Sequence, residues 1–189
     1  MRRQRNLLGP QGMGGMVSLW GASGIVESVQ QGTVTMSSAS SGTATITAVD
    51  MSRSLLFSQL ISTAYSSAVP AISLSRLDFT NATTITATRI SASSYVYASF
   101  VVVQFMPGVI KQIQRATVTI NNGVASVDTT LVETNLNKSI ATSTFLANNT
   151  TADSNVFTRS LLTTSTNLRS TRETTADING VAYQVAEFF

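Results

Sequence analysis

The sequence contains no cysteine and no histidine. The first absence excludes disulfides and thiolate-ligated metal sites. The second removes the commonest general base, the usual partner of a nucleophilic serine and the main nitrogen ligand of zinc. Charge is scarce as well: Asp, Glu, Lys and Arg make up 11% of the chain, against roughly 25% in average soluble proteins. No run of about 20 apolar residues is present that could span a bilayer as a helix, so no membrane partner is expected.

Ser, Thr, Ala, Val and Asn fill the deficit, a neutral and β-branched mixture that favours strands and turns over helices. The hydrophobic share of 43% is enough for a core in 189 residues. The fold class expected is all-β. Arg2, Arg3 and Arg5 account for the whole formal charge of +3. The remaining charges balance, so only the N-terminus is basic. That start does not read as a secretory signal, because Gly9, Pro10, Gln11, Gly12, Gly14 and Gly15 break the apolar run it would need.

The chain repeats itself. Val29 placed on Ile113 also places Gln30 on Gln114, Thr33 on Thr117, Val34 on Val118, Thr35 on Thr119 and Met36 on Ile120. Further on, "MSRSL" (51–55) falls on "LNKSI" (136–140), "ATTITATR" (82–89) on "STNLRSTR" (165–172) and "VVQF" (102–105) on "VAEF" (185–188). Matches in one order at nearly constant spacing predict two tandem β-sandwich or jelly-roll-like domains, 25–106 and 109–189. The "MPGV" linker with Pro107 and Gly108 joins them, and an extended arm over 1–24 precedes them. Units this small bury limited apolar surface alone and are expected to pack on each other or on other copies.

Short strand patterns separated by Gly, Asn, Ser and Asp clusters fall at 25–36, 43–49, 53–61, 71–79, 83–90 and 95–105. They recur at 109–120, 124–132, 138–146, 156–163, 166–173 and 180–188. In both opening strands the apolar parity changes midway, which predicts a bulge near Gly32 and Ala116. "DING" (177–180) predicts a tight turn with positive φ at Asn179-Gly180. "YVYASFVVVQF" (95–105) is apolar on both parities and is expected to be buried on both faces, as a central core strand or as a face closed by another chain. Its counterpart, with Gln184 and Glu187, is less apolar.

The first 24 residues show neither strand alternation nor helical period, yet carry Leu7, Leu8, Met13, Met16, Val17, Leu19 and Trp20. A free tail is normally poorer in such residues. The expectation is an arm that lies on a neighbouring subunit. Leu7, Leu8, Met13, Met16, Leu19 and Trp20 would anchor it, while Arg2, Arg3 and Arg5 meet an acidic or phosphate-bearing surface. The alternative is an arm folded back over its own chain. Three arginines without interleaved aromatics are weak grounds for nucleic acid, which is not expected as a partner.

Catalytic patterns are missing from the sequence. No G-x-S-x-G elbow occurs, and "GPQGMGG" lacks the Lys-Ser/Thr ending of a phosphate loop. The carboxylates are scattered, so a glycosidase pair would have to be assembled by folding. The chain is expected to be non-enzymatic, without cofactor or metal. N-x-Ser/Thr sequons at Asn81, Asn137, Asn148 and Asn149 are what a Thr-rich chain generates freely.

The segments "VQQGTVTM", "ATITAVDMSRSLL", "LDFTNATTITATR" and "VVVQF", spread over most of 25–105, resemble a short β domain found in structural proteins of tailed bacteriophages and prophages. The second unit resembles it less, keeping "IQRATVTI" and "VAEF" but losing "DFTNATT". The resemblance implies a virion component made in the bacterial cytoplasm and bound to capsid or tail subunits. It could decorate the capsid or sit at the neck, tail or baseplate, and a homo-oligomer is expected. The competing expectation is a receptor- or glycan-binding adhesin module, with Tyr65, Tyr95, Tyr97 and Tyr183 available to stack on sugars.

Overall fold

The computed structural model describes residues 24–63, 74–90, 92, 95–147, 157–173 and 179–189, with only the backbone of 59–63. The expected arm and its anchors lie outside these residues, as does Tyr65. Among the described residues the fold is all-β. The first set of strands is β1 (Val26–Ser37), β2 (Ser41–Thr45), β3 (Ser54–Thr63), β4 (Arg76–Asn81), β5 (Thr84–Thr88) and β6 (Tyr95–Phe105). The second is β7 (Ile110–Ile120), β8 (Ser126–Thr130), β9 (Ser139–Ala147), β10 (Thr158–Thr164), β11 (Asn167–Arg172) and β12 (Asn179–Phe188). Each strand predicted from the sequence has its counterpart within a few residues.

The strands form four antiparallel sheets, ordered β1-β6-β3 and β2-β5-β4 in the first half, β7-β12-β9 and β10-β11-β8 in the second. Among the described residues no sheet mixes the halves. The order is the same in both once β1 is set on β7 and so on through β6 on β12. In the first half Val34, Met36, Leu56, Val96, Ala98, Phe100 and Val102 of one sheet close over Leu77, Ile85 and Ala87 of the other. In the second, Tyr183 and Val185 close over Leu168, with Val118, Ala141 and Leu162 beside them. Each half is a small sandwich around its own apolar centre.

The repeat extends to single hydrogen bonds. Gln30 bridges the backbone N–H and C=O of Thr47, at 2.8 and 3.0 Å, and Gln114 bridges those of Val132 at 2.7 and 2.9 Å. Asp50 accepts from Ser52 N–H to start a one-turn 3-10 helix at Met51–Arg53, and Asn135 accepts from Asn137 N–H to start another at Leu136–Lys138. The hydroxyls of Ser54 and Ser139 close the same turn on the C=O of Asp50 and Asn135. Buried Arg89 donates Nε to Ala39 C=O, and Arg172 donates Nε to Val124 C=O.

Three sequence expectations are corrected. Pairing runs without a break through Gly32 and through Ala116; the extra residues are Glu27, between Val26 and Ser28, and Lys111, opposite the Glu187–Phe188 step. Gly32 instead makes room for the Phe100 ring across the strand, since a Cβ there would lie 2.8 Å from Phe100 Cζ. The bulged residues turn charges onto neighbours: Glu27 pairs with Arg53, and Lys111 reaches Glu187 Oε1 at 2.9 Å. Asn179-Gly180 is not a positive-φ turn. Both are strand residues of β12 paired with β7 and β9, and Asn179 Nδ2 donates to Thr158 Oγ1 at 2.9 Å. Asp177 and Ile178 lie outside the described residues. Positive φ occurs instead at Ser38, at Gly108 and at Gly123 in the Asn121–Val124 turn.

The third correction reverses the two central strands. β6 alternates: its inner residues are buried, while Tyr95 and Tyr97 on the outer face are 50% and 37% exposed. The less apolar β12 is buried along both faces, except at Gln184 and Phe188, which are half-buried. The reason lies in what covers each sheet.

Candidate assembly surfaces

Pro107 and Gly108 fix how the halves meet. Val109 N–H bonds Met106 C=O at 3.2 Å, with proline at the second position and Gly108 at φ 83° in the third, the pattern of a type II turn. This short link brings Leu55 and Phe105 of the first half against Ile110 and Ala186 of the second. Phe57, Val103, Ile113 and Phe188 lie around them. Phe105 and Phe188 meet edge to face, 5.7 Å between centroids.

Next to this apolar patch the first sandwich stands with an edge on a face. β3 and β4 are edge strands of their sheets. An unpaired edge exposes backbone N–H and C=O groups that pair with any available strand. Side chains on the outer face of β7-β12-β9 satisfy those of Leu56 and Leu77. Gln184 Oε1 accepts from Leu56 N–H at 3.1 Å while its Nε2 donates to Leu56 C=O at 2.6 Å. Thr144 Oγ1 accepts from Leu77 N–H at 3.0 Å and donates to Leu77 C=O at 2.9 Å. Two short side chains thus do the work of a neighbouring strand, and this is why β12 is covered on its outer face.

Arg115 of β7 binds the adjoining end of that edge. Its Nη1 donates to Met51 C=O at 2.8 Å, Nη2 donates to Ser54 C=O, and Nε reaches Gln184 Oε1 at 3.2 Å. The guanidinium also lies over the Phe79 ring, 5.3 Å from its centroid. Burial lowers its pKa to about 10, which leaves it charged at neutral pH. Beside it a cleft of about 240 Å³ is lined by Leu77, Asp78, Phe79, Thr117 and Tyr183 among others. Burial raises the Asp78 carboxyl, against the opposing pull of Arg76, 2.8 Å away. Gly180 lets Arg76 approach closely, since a Cβ there would lie 3.2 Å from Arg76 Nη1.

The counterpart surfaces are open. The edge strands β9 and β10 repeat β3 and β4, and a groove of about 280 Å³ there is lined by Leu136, Ser139, Ala141, Ser160, Leu161 and Leu162. These are the repeat partners of Met51, Ser54, Leu56, Leu77, Asp78 and Phe79, residues that meet Arg115 or line its cleft. Leu136, Ile140 and Leu161 are 46%, 41% and 62% exposed. The outer face of β1-β6-β3 repeats that of β7-β12-β9 and carries exposed Val29, Gln31, Tyr95 and Tyr97.

Of the tyrosines named from sequence, Tyr95 and Tyr97 share this outer face, and Tyr183 belongs to the second core. Sequence reading missed Arg115, Thr144 and Gln184. The signal was present: Arg115 stands where the first repeat has Gln31, and Gln184 where it has Val101. A polar residue replacing valine in a central strand marks a face that meets something polar. Among the described residues no helix is long and apolar enough to cross a membrane.

Comparison of the chain with protein-family models, with curated proteins and with solved structures finds no match.

Proposed function

We propose that this chain is a non-enzymatic structural protein of a phage particle that binds neighbouring virion subunits through its duplicated β units and its N-terminal arm. It would serve as a capsid decoration protein or as a component of the neck, tail or baseplate. The observation that carries the assembly part of this reading is the contact between the halves. There one repeat unit caps the strand edge of the next with Gln184, Thr144 and Arg115. A sandwich that recognises the edge of its own repeat is suited to lattices built from like units. The phage setting rests on the sequence resemblance over 25–105.

Quantitative mass spectrometry of purified particles, with the major capsid protein as internal standard, tests it. Hundreds of copies define a decoration protein, and about a dozen to a few dozen define a neck, tail or baseplate protein. Absence from the particle overturns the virion reading. The adhesin reading draws support from Tyr95 and Tyr97, exposed side by side on one sheet face. Binding on a glycan array that is lost on replacing both tyrosines by serine would favour it over the structural role.

A further inference from the structure

We propose that copies of this chain associate head to tail, the β9–β10 edge of one copy seating on the outer face of β1-β6-β3 of the next. The proposal deepens the assembly role above and rests on that reading. Copy number in particles and self-association in solution are separate measurements, so either can fail while the other holds.

The occupant follows from the chain itself. Each half has one edge and one face of the kind joined at the internal contact, and that contact uses the edge of the first half and the face of the second. The β9–β10 edge and the part of the first outer face away from Val103 and Phe105 are left over in every molecule, on opposite halves. Further copies of the chain supply the missing partners, one neighbour at the edge and another at the face. Continuity with the internal contact gives the register: Leu136 and Ser139 come to Gln31 as Met51 and Ser54 come to Arg115, and Ala141 comes to Val101 as Leu56 comes to Gln184.

The side chains at the open surfaces have changed in a matched way. On the edge, Asp78 becomes Leu161; on the face, Arg115 becomes Gln31 and Gln184 becomes Val101. A half-buried cation sharing a cleft with a carboxylate is thus replaced by apolar and neutral groups on both sides of the contact. At these three positions the open surfaces carry no charge to desolvate. Arg159, repeat partner of Arg76, comes over Tyr97, which replaces Gly180, so an aromatic face meets the guanidinium where a close approach was allowed before. The part of the outer face that carries Val103 and Phe105 is already engaged inside the chain. Val29, Gln31, Tyr95 and Tyr97 are not so covered.

Because edge and face are different patches, the association is heterologous and builds a ring where the rotation closes or a filament where it does not. The test is sedimentation equilibrium of the full chain up to about 1 mM, the weak end of specific association. The expected result is a mass rising above 20.0 kDa with concentration, and held at the monomer value by Leu161→Glu. The absence of cysteine permits a second readout. Gln31→Cys and Leu136→Cys chains, mixed and treated with a short bis-maleimide, should yield a cross-linked dimer that neither gives alone. A chain that stays at monomer mass throughout overturns the proposal. So does association that Leu161→Glu leaves intact, or a mixture that forms no more dimer than either chain alone.

Discussion

The two halves are built to one plan, and they differ most where the plan meets its surroundings. β6 carries the more apolar sequence, yet its outer face ends in exposed Tyr95 and Tyr97. β12 includes Gln184 and Glu187 and is the more thoroughly buried. The difference shows that a central strand's burial is decided by what lies on its outer face, and that polar residues in such a strand can be the means of covering it. Gln184 is half-buried under the first half, where its amide matches both backbone groups of Leu56. Glu187 is buried because Lys111 and Gln112 reach it, at 2.9 and 2.7 Å.

The sharpest way to break the comparison is a pair of substitutions at one repeat position. Leu55 is fully buried between the halves, and its repeat partner Ile140 is 41% exposed. Leu55→Ala should cost about 2–5 kcal/mol of unfolding free energy, and Ile140→Ala, a surface change, no more than about 0.5 kcal/mol, both read from urea midpoints in dilute protein. Equal losses would mean that the two outer faces are equivalent after all.

Arg115 and Gln31 form the next pair. Arg115→Ala removes charged hydrogen bonds to two backbone carbonyls and should cost about 1.5–3 kcal/mol. Gln31→Ala in the dilute chain should leave the denaturation midpoint unchanged. Gly32→Ala asks whether the halves tolerate the same residue beside the central aromatic. The added methyl would press on Phe100, so a loss of about 1–3 kcal/mol is expected. A neutral result would show that the ring can shift, as the pairing of Ala116 with Tyr183 already permits in the second half.

The smallest effect concerns acid. Glu187 occupies the position of Gln104, whose Oε1 accepts from Asp50 N–H at 3.0 Å. Lys111 above all, with help from Gln112 and the Asn135 N–H, holds the Glu187 carboxyl below its ordinary value of 4.5 despite burial. A depressed folded pKa stabilises the fold above the unfolded pKa, and that contribution is lost as pH falls through the folded value. The stability gap between wild type and Glu187→Gln should therefore be constant above pH 4.5 and narrow below it. A gap independent of pH in acid would show that the carboxylate is not held by Lys111.

Much of this architecture was legible in the sequence. Alternation and turn residues placed the strands, and "MSRSL" and "LNKSI" were matched as repeat segments, but the one-turn helix in each was not foreseen. The parity change in the opening strands misled because Val29 is an outward-facing apolar residue, not the mark of a bulge at Gly32. The edge-on-face contact was hidden for another reason. It joins Leu56 to Gln184 across 128 positions, and it uses backbone groups, which carry no sequence signature. Only the departures from the repeat, Arg115 for Gln31 and Gln184 for Val101, pointed toward it.

Amide hydrogen exchange at the two edges measures the central claim most directly. Gln184 and Thr144 hold the outward N–H groups of Leu56 and Leu77, and the same register turns those of Ala141 and Ser160 outward in the second half. Protection of Leu56 and Leu77 at every protein concentration, with Ala141 and Ser160 exchanging quickly when dilute and slowly when concentrated, is the predicted result. Equal exchange at both edges, unchanged by concentration, would contradict it.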